Sequence, residues 1–283
     1  MPIVASRDGV RLHYELHDYT DPWRKAPVLI LQHGFGRSAR FWFNLIPYLA
    51  RFYRVVCPDL RGFGQSSKEF DLEAGPTIPN YVVDILTIAD DMNAATFHYA
   101  GESFGGILGM VLSAEHPERV RSLSLLATPI RLTEQTQKTF ALTYGSWQEA
   151  MRAMGVRAWA DAINTAARFP PDADPGLQEW YAEEFAKSDV EVLCALAQLA
   201  SNSDAASYLP RIKAPVLGIY PALHKFVTST SGQDEELRKG IPHMRLVRMP
   251  SHYHMVWVIA PAACAEHMLH FMAAEDGFAP REP

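Results

Sequence analysis

The chain has 283 residues, 48% hydrophobic and 20% charged, an ordinary globular balance that excludes disordered, collagenous and coiled-coil architectures. Its 26 basic and 32 acidic residues give a net charge of −6, and Lys and Arg form no cluster, which argues against nucleic acid as a partner. The apolar stretch Met255–Ala265 is far shorter than the roughly 20 residues a membrane span needs. The N-terminus meets charge at Arg7 before any apolar run, unlike a signal peptide. Cys57, Cys194 and Cys264 are too few and too scattered for a disulfide framework or a zinc site. They read as buried apolar residues in a reducing compartment, which the cytoplasm supplies.

In chain order, residues 11–17 read as a strand, and VLILQ at 28–32 is a short continuous apolar run, the signature of a strand covered on both faces. A helix is expected over 39–50, a buried strand over 54–57, a helix over 80–91, a strand over 96–100, a helix over 104–115 and a strand over 120–126. Alternating strands and helices imply βαβ units and a parallel sheet. After Pro129 no strand pattern appears until about residue 208. Phe140, Tyr144, Trp147, Met151 and Met154 step by four and three, one face of a helix. Further helices are expected over 157–167, 177–187 and 189–200, with PPDADPG at 170–176 as a loop. The sheet pattern resumes over 215–220 and 244–249, with helices at 233–239 and 261–274. The organisation expected is an α/β core, 1–129 and 209–283, interrupted by a helical insert, 130–208.

Three loops carry the chemistry. Gly101-Glu102-Ser103-Phe104-Gly105-Gly106 places G-x-S-x-G between a strand and a helix, the context that lifts a nucleophilic hydroxyl above the sheet edge. The bland reading is a glycine-rich turn whose serine merely caps the helix. His33-Gly34-Phe35-Gly36 follows the strand 28–32, and its Phe35 N–H can pair with that of Phe104 to hold an oxyanion. Asp59–Ser67 follows the strand 54–57 as a structured loop in which Asp59 and Arg61 read as structural.

HGFG, then DLRGFGQSS, then GESFGG, in that order, resemble the α/β-hydrolase family, and the helical insert resembles its cap domain. The resemblance covers nearly the whole chain. It implies an α/β-hydrolase fold, a mostly parallel eight-stranded sheet flanked by helices, with a pocket between core and cap. It also implies a histidine in the loop after the last strand. There His254, seven residues before Pro261, is the expected general base, with His252 a neighbour at the rim.

The chain departs from that pattern at the acid. Where the family usually carries Asp, beyond the strand 215–220, this sequence has His224, and the alternative location holds Ala127 and Thr128. A neutral His224 could fix the tautomer of His254 but supplies no negative charge. Asp204, Asp234 and Glu102 are remote candidates for a relocated acid. Trp147 and Tyr144 are the expected pocket-lining residues, and Arg37, Arg40 and Arg168 are cations that could meet a carboxylate, although most arginines are simply solvated.

The leading expectation is a cofactor-free and metal-free serine hydrolase acting on a small carbonyl substrate: an ester, a lactone or a C–C bond next to a ketone. Its catalytic residues would be Ser103, His254 and His224, and its oxyanion hole the N–H groups of Phe35 and Phe104. Substrate-binding would fall to Trp147, Tyr144 and Arg37. Partners would be the small molecule alone, with neither nucleic acid nor membrane, and a homodimer left open. Two alternatives stand beside it: a lyase or cofactor-free oxygenase on the same scaffold using His254 as base, and a ligand-binding protein without turnover.

Overall fold

The computed structural model describes residues 2–164, 168–222 and 233–278. Eight strands form one sheet: β1 (Ile3–Ala5), β2 (Arg11–His17), β3 (Val28–Gln32), β4 (Arg54–Pro58), β5 (Phe97–Glu102), β6 (Val120–Leu126), β7 (Val216–Pro221) and β8 (Arg245–Met249). Their order is β1-β2-β4-β3-β5-β6-β7-β8; β2 runs antiparallel to both β1 and β4, and the remaining neighbouring pairs are parallel. Every residue of β3, β5 and β7 is buried, as continuous apolar runs in a doubly covered sheet require.

The chain turns one way from β3 to β4 and the other way from β3 to β5. The crevice beyond the carboxyl ends of β3 and β5 is therefore the switch point of the sheet, where ligands of open α/β folds bind. The HGFG loop and the G-x-S-x-G turn both leave the sheet there.

The expected helix over 39–50 is instead two short turns, a 3₁₀ turn at Ala39–Trp42 and α1 (Ile46–Leu49). Pro47 lacks an N–H and can only begin a helix, so it restarts the chain rather than continuing it. Then follow α2 (Ile78–Asp91), capped by the Thr77 hydroxyl, and α3 (Phe104–Glu115).

Between β6 and β7 the described residues form the α-helices α4 (Glu134–Ala141), α5 (Trp147–Met154), α6 (Val156–Ile163), α7 (Pro175–Ala186) and α8 (Val190–Asn202), and a 3₁₀ turn at Ala206–Arg211. The Phe140–Met154 stripe is thus two helices. Leu142 takes φ +56°, and extended Ser146 caps α5 by accepting from the Glu149 N–H at 3.1 Å. The core closes with α9 (Asp234–Gly240), α10 (Val256–Ile259) and α11 (Pro261–Asp276), the last ended by left-handed Gly277. Among the described residues no helix is long and apolar enough to cross a membrane.

Candidate active site

Strand β5 runs straight into α3, and Ser103 sits at the corner with φ +52° and ψ −119°. That is a strained backbone for a residue with a side chain. Its hydroxyl makes no capping bond to the helix, so the capping explanation for this serine does not describe the structure. The corner is possible because two loops touch backbone to backbone. A Cβ at Gly105 would stand 2.4 Å from the Gln32 carbonyl oxygen, and one at Gly34 would stand 2.8 Å from that of Glu102.

The HGFG loop is held against this corner by polar bonds. His33 accepts from the Leu60 N–H at 3.0 Å through Nε2, leaving Nδ1–H to donate to the Gly34 carbonyl at 2.8 Å. Burial pushes its pKa down to about 4, so it is neutral and fixed in one tautomer. The Gly34 N–H donates to Glu102 Oε1 at 2.5 Å. The amide N–H groups of Phe35 and Phe104 find no acceptor among the described residues. For Phe104, the first residue of α3, that is the ordinary state of a helix N-terminus, whose dipole also favours negative charge.

Asp59 and Arg61 are occupied in holding loops. Asp59 accepts from His13 Nδ1 at 2.7 Å and from the Ala39 and Gln65 N–H groups. Arg61 grips Asp84 at 2.6 Å and Asp8 at 2.7 Å.

His254 lies in the loop between β8 and α10, and it shares one cavity with Ser103, Phe35 and Phe104. Burial, together with the positive charges of Arg37 and Arg168, pushes its pKa well below the ordinary value for histidine. It is therefore a neutral base at rest. Among the described residues no carboxylate hydrogen-bonds its ring. His224 lies outside the described residues, as does the Asp234 side chain. Thr128 bonds the backbone carbonyls of Gly101 and Leu126, and Asp204 is paired with Arg131 at 2.7 Å. Glu102 points to Arg37, at 2.5 Å. His252 stands beside Tyr253, its Nδ1 buried without a partner among the described residues.

Arg37 is buried and fully engaged. It donates to Glu102, to the Tyr181 hydroxyl at 2.5 Å and to the Met255 sulfur at 3.4 Å. The pair locks the elbow to α7 and to the His254 loop. Glu102 is 1% exposed, and burial raises its pKa against the opposing pull of Arg37 and the Gly34 N–H.

Trp147 lines the cavity and also stacks on Phe35 with ring centroids 4.7 Å apart, while its Nε1 donates to Ser201 at 3.2 Å. Tyr144 does not line this cavity; it borders a separate surface depression with Gly145 and Gln198. The break between α4 and α5 takes it off the inner stripe. Arg40 pairs with Glu184 on the surface. Arg168, one of three arginines the sequence offers as a possible carboxylate partner, is buried and lines the cavity. Among the described residues no group of three His, Cys, Asp or Glu is placed to hold a metal ion.

The arrangement joins an unengaged serine, a neutral histidine and two free N–H donors around one apolar cavity, the parts of an acyl-transfer site. Comparison with known proteins agrees with the architecture. The family model for the alpha/beta hydrolase fold matches residues 27–188, more than half of the chain. The chain is 25% identical over 244 residues to 3-oxoadipate enol-lactonase 2 of Acinetobacter baylyi, covering 82% of this chain and 85% of that protein. A hydrolase structure from Pseudomonas aeruginosa aligns with TM-score 0.80 and 26% identity over 96% of this chain and 97% of its own. An enol-lactonase from Burkholderia xenovorans aligns with TM-score 0.83 and 24% identity, covering 96% and 100%, a likeness of fold. Strand order, elbow and family match together make this chain a hydrolase of the α/β-hydrolase fold family.

Proposed function

We propose that the protein cleaves a small carbonyl substrate, an ester, a lactone or a C–C bond next to a ketone, through a covalent Ser103 intermediate and without a cofactor. The observation that carries this reading is the shared cavity of Ser103 and His254, with the serine hydroxyl unengaged and the amides of Phe35 and Phe104 unsatisfied beside it. Ser103 Oγ attacks the carbonyl carbon while His254 takes its proton. The carbonyl oxygen becomes an oxyanion, and the two N–H groups meet that charge. As the intermediate collapses, the bond to the leaving group breaks and His254 returns the proton to it. Water then repeats the sequence on the acyl-serine, freeing the acid and restoring Ser103. Trp147 and Arg37 shape the walls, Arg37 through its hold on Glu102.

The third member is proposed to be His224, on its position in the sequence alone. It would hold the tautomer of His254 without supplying charge, which suits a slower enzyme or an activated substrate. His224→Ala should then lower turnover, and His224→Asp should raise ester hydrolysis.

A fluorophosphonate probe tests the reading. Labelling should map to Ser103 and vanish in Ser103→Ala. Labelling that persists in that variant would sink the assignment. The absence of a carboxylate on His254 among the described residues favours one second reading, a lyase or oxygenase with His254 as base. No labelling of the folded wild type would support it.

A further inference from the structure

Arg168 is 5% exposed and lines the cavity that holds Ser103 and His254. Its guanidinium stacks near Phe185 at 5.1 Å, and near Trp159 and Tyr181 at 5.5 Å each. Its N–H edge has five donors. Among the described residues only one finds an acceptor, Nη1 on Asn164 Oδ1 at 3.2 Å. No carboxylate pairs with it.

Asn164 repeats the pattern: it is 2% exposed, and its Nδ2 is buried without a partner among the described residues. Two adjacent buried groups thus both offer unmet donors. Buried polar groups are otherwise almost always bonded, and a buried cation is costly unless an anion joins it.

The charge count points the same way. Around the cavity stand two guanidinium groups, Arg37 and Arg168, and one buried carboxylate, Glu102. Arg37 and the Gly34 N–H already hold Glu102, which leaves one positive charge over. Burial and the nearby Arg37 lower the pKa of Arg168 to about 10, so it remains charged at neutral pH. Its segment is tied to the base, because the Arg168 carbonyl accepts from the Met255 N–H at 3.3 Å.

We propose that Arg168, with the side-chain amide of Asn164, is an anion subsite of this cavity, and that the substrate carries a carboxylate beside its scissile carbonyl group. One guanidinium edge matches a planar carboxylate in bidentate geometry. A phosphate dianion would leave one charge unmatched in a wall otherwise formed by groups such as Ile163, Phe140 and Trp147. A bound carboxylate would also offset the two guanidinium charges that hold His254 acidic, so substrate binding would strengthen the base. The subsite is a claim about binding; only its bearing on the reaction rests on the serine-hydrolase reading.

The test compares two p-nitrophenyl esters of similar size, the glutarate monoester and the neutral pentanoate. Wild type should favour the charged ester in kcat/KM. In Arg168→Gln that selectivity should fall by roughly 10- to 100-fold, as loss of a charge-assisted contact implies, and Arg168→Lys should regain part of it. The selectivity ratio does not depend on the fraction of a variant that folds. Glutarate titration, read by the fluorescence of Trp147 and Trp159, needs no turnover. Its affinity should drop roughly tenfold or more in Arg168→Gln. A wild type that prefers the neutral ester, a ratio unchanged in Arg168→Gln, equal glutarate affinity in that variant, or phosphate competing as well as glutarate would each overturn the proposal. If neither ester turns over nor acylates Ser103 but glutarate binds in an Arg168-dependent way, the subsite stands and the ester-cleaving part of the proposed function fails.

Discussion

At the scale of the residue, the site is organised by which buried groups are paired and which are not. Arg37 donates to one oxygen of Glu102, whose other oxygen is buried without a partner among the described residues, and His33 is bonded at both nitrogens. Among the described residues Ser103 and His254 find no side-chain hydrogen-bond partner, and Arg168 finds only Asn164. The state of His254 has a kinetic consequence. A base whose pKa is depressed stays unprotonated to lower pH, so the acid limb of kcat/KM should lie below pH 6.5. Burial is the leading cause of that depression, and Arg37 and Arg168 add to it. Arg168→Gln removes one positive charge and should move the limb upward, a shift seen in a pH profile on the neutral ester. An unmoved limb would mean that Arg168 exerts no field on the base. The elbow serine and the glycine loop stand out in the sequence because a tight strand–helix corner and a close backbone approach demand glycine at fixed spacing, whereas His254 is expected from the family resemblance. The burial of Arg168 was not legible, since a sequence shows a charge but not whether water reaches it. Tyr144 shows the converse: it fits the inner stripe by spacing, yet the chain turns before it gets there.

At the scale of the element, strands were read almost to the residue where both faces are covered. β3 and β6 coincide with the expected ranges and β5 is displaced by one or two positions; for β3 the short apolar run itself marks a strand covered on both faces. Helix continuity was harder, since a 3.6-residue period carries on across a turn. The Phe140–Met154 stripe concealed the break at Leu142, and residues 39–50 concealed the restart at Pro47. Trp147 sits where this matters, at the start of α5, buried against Phe35, Phe140 and Trp159. Trp147→Ala should cost about 3–5 kcal/mol in urea unfolding, the range for emptying a large aromatic site. A cost under about 1 kcal/mol would show that this packing contributes little. The contact between the HGFG loop and the elbow gives a sharper case. In Gly105→Ala the new methyl would meet the Gln32 and His33 carbonyl oxygens at 2.4 and 2.7 Å. Backbone must move, and about 1–3 kcal/mol of stability should go, with a larger fractional loss of turnover than in a Trp147→Phe variant.

At the scale of the whole molecule, the sheet gathers groups that are far apart in sequence. The switch point between β3 and β5 brings residues 33–37 to the elbow, and the loop after β8 delivers His254 from the far end of the chain. The same arrangement makes the fold acid-sensitive. His33 titrates near pH 4 when folded and near 6.5 when unfolded, so between those values the unfolded chain binds more protons. Its contribution is complete above pH 6.5 and is lost as pH falls toward 4. This should take about 2 kcal/mol from the unfolding free energy between pH 7 and pH 5. A His33→Gln variant should show a correspondingly flatter dependence; identical slopes would deny His33 that role. The central claim is that this gathering yields a covalent serine enzyme. Its most direct test is acid-quenched mass spectrometry within milliseconds of mixing the protein with a p-nitrophenyl ester. An acyl group should appear on the peptide containing Ser103, forming faster than steady-state turnover and absent in Ser103→Ala. Product release with no acylated Ser103 at any time, or acylation of another residue in step with turnover, would contradict it.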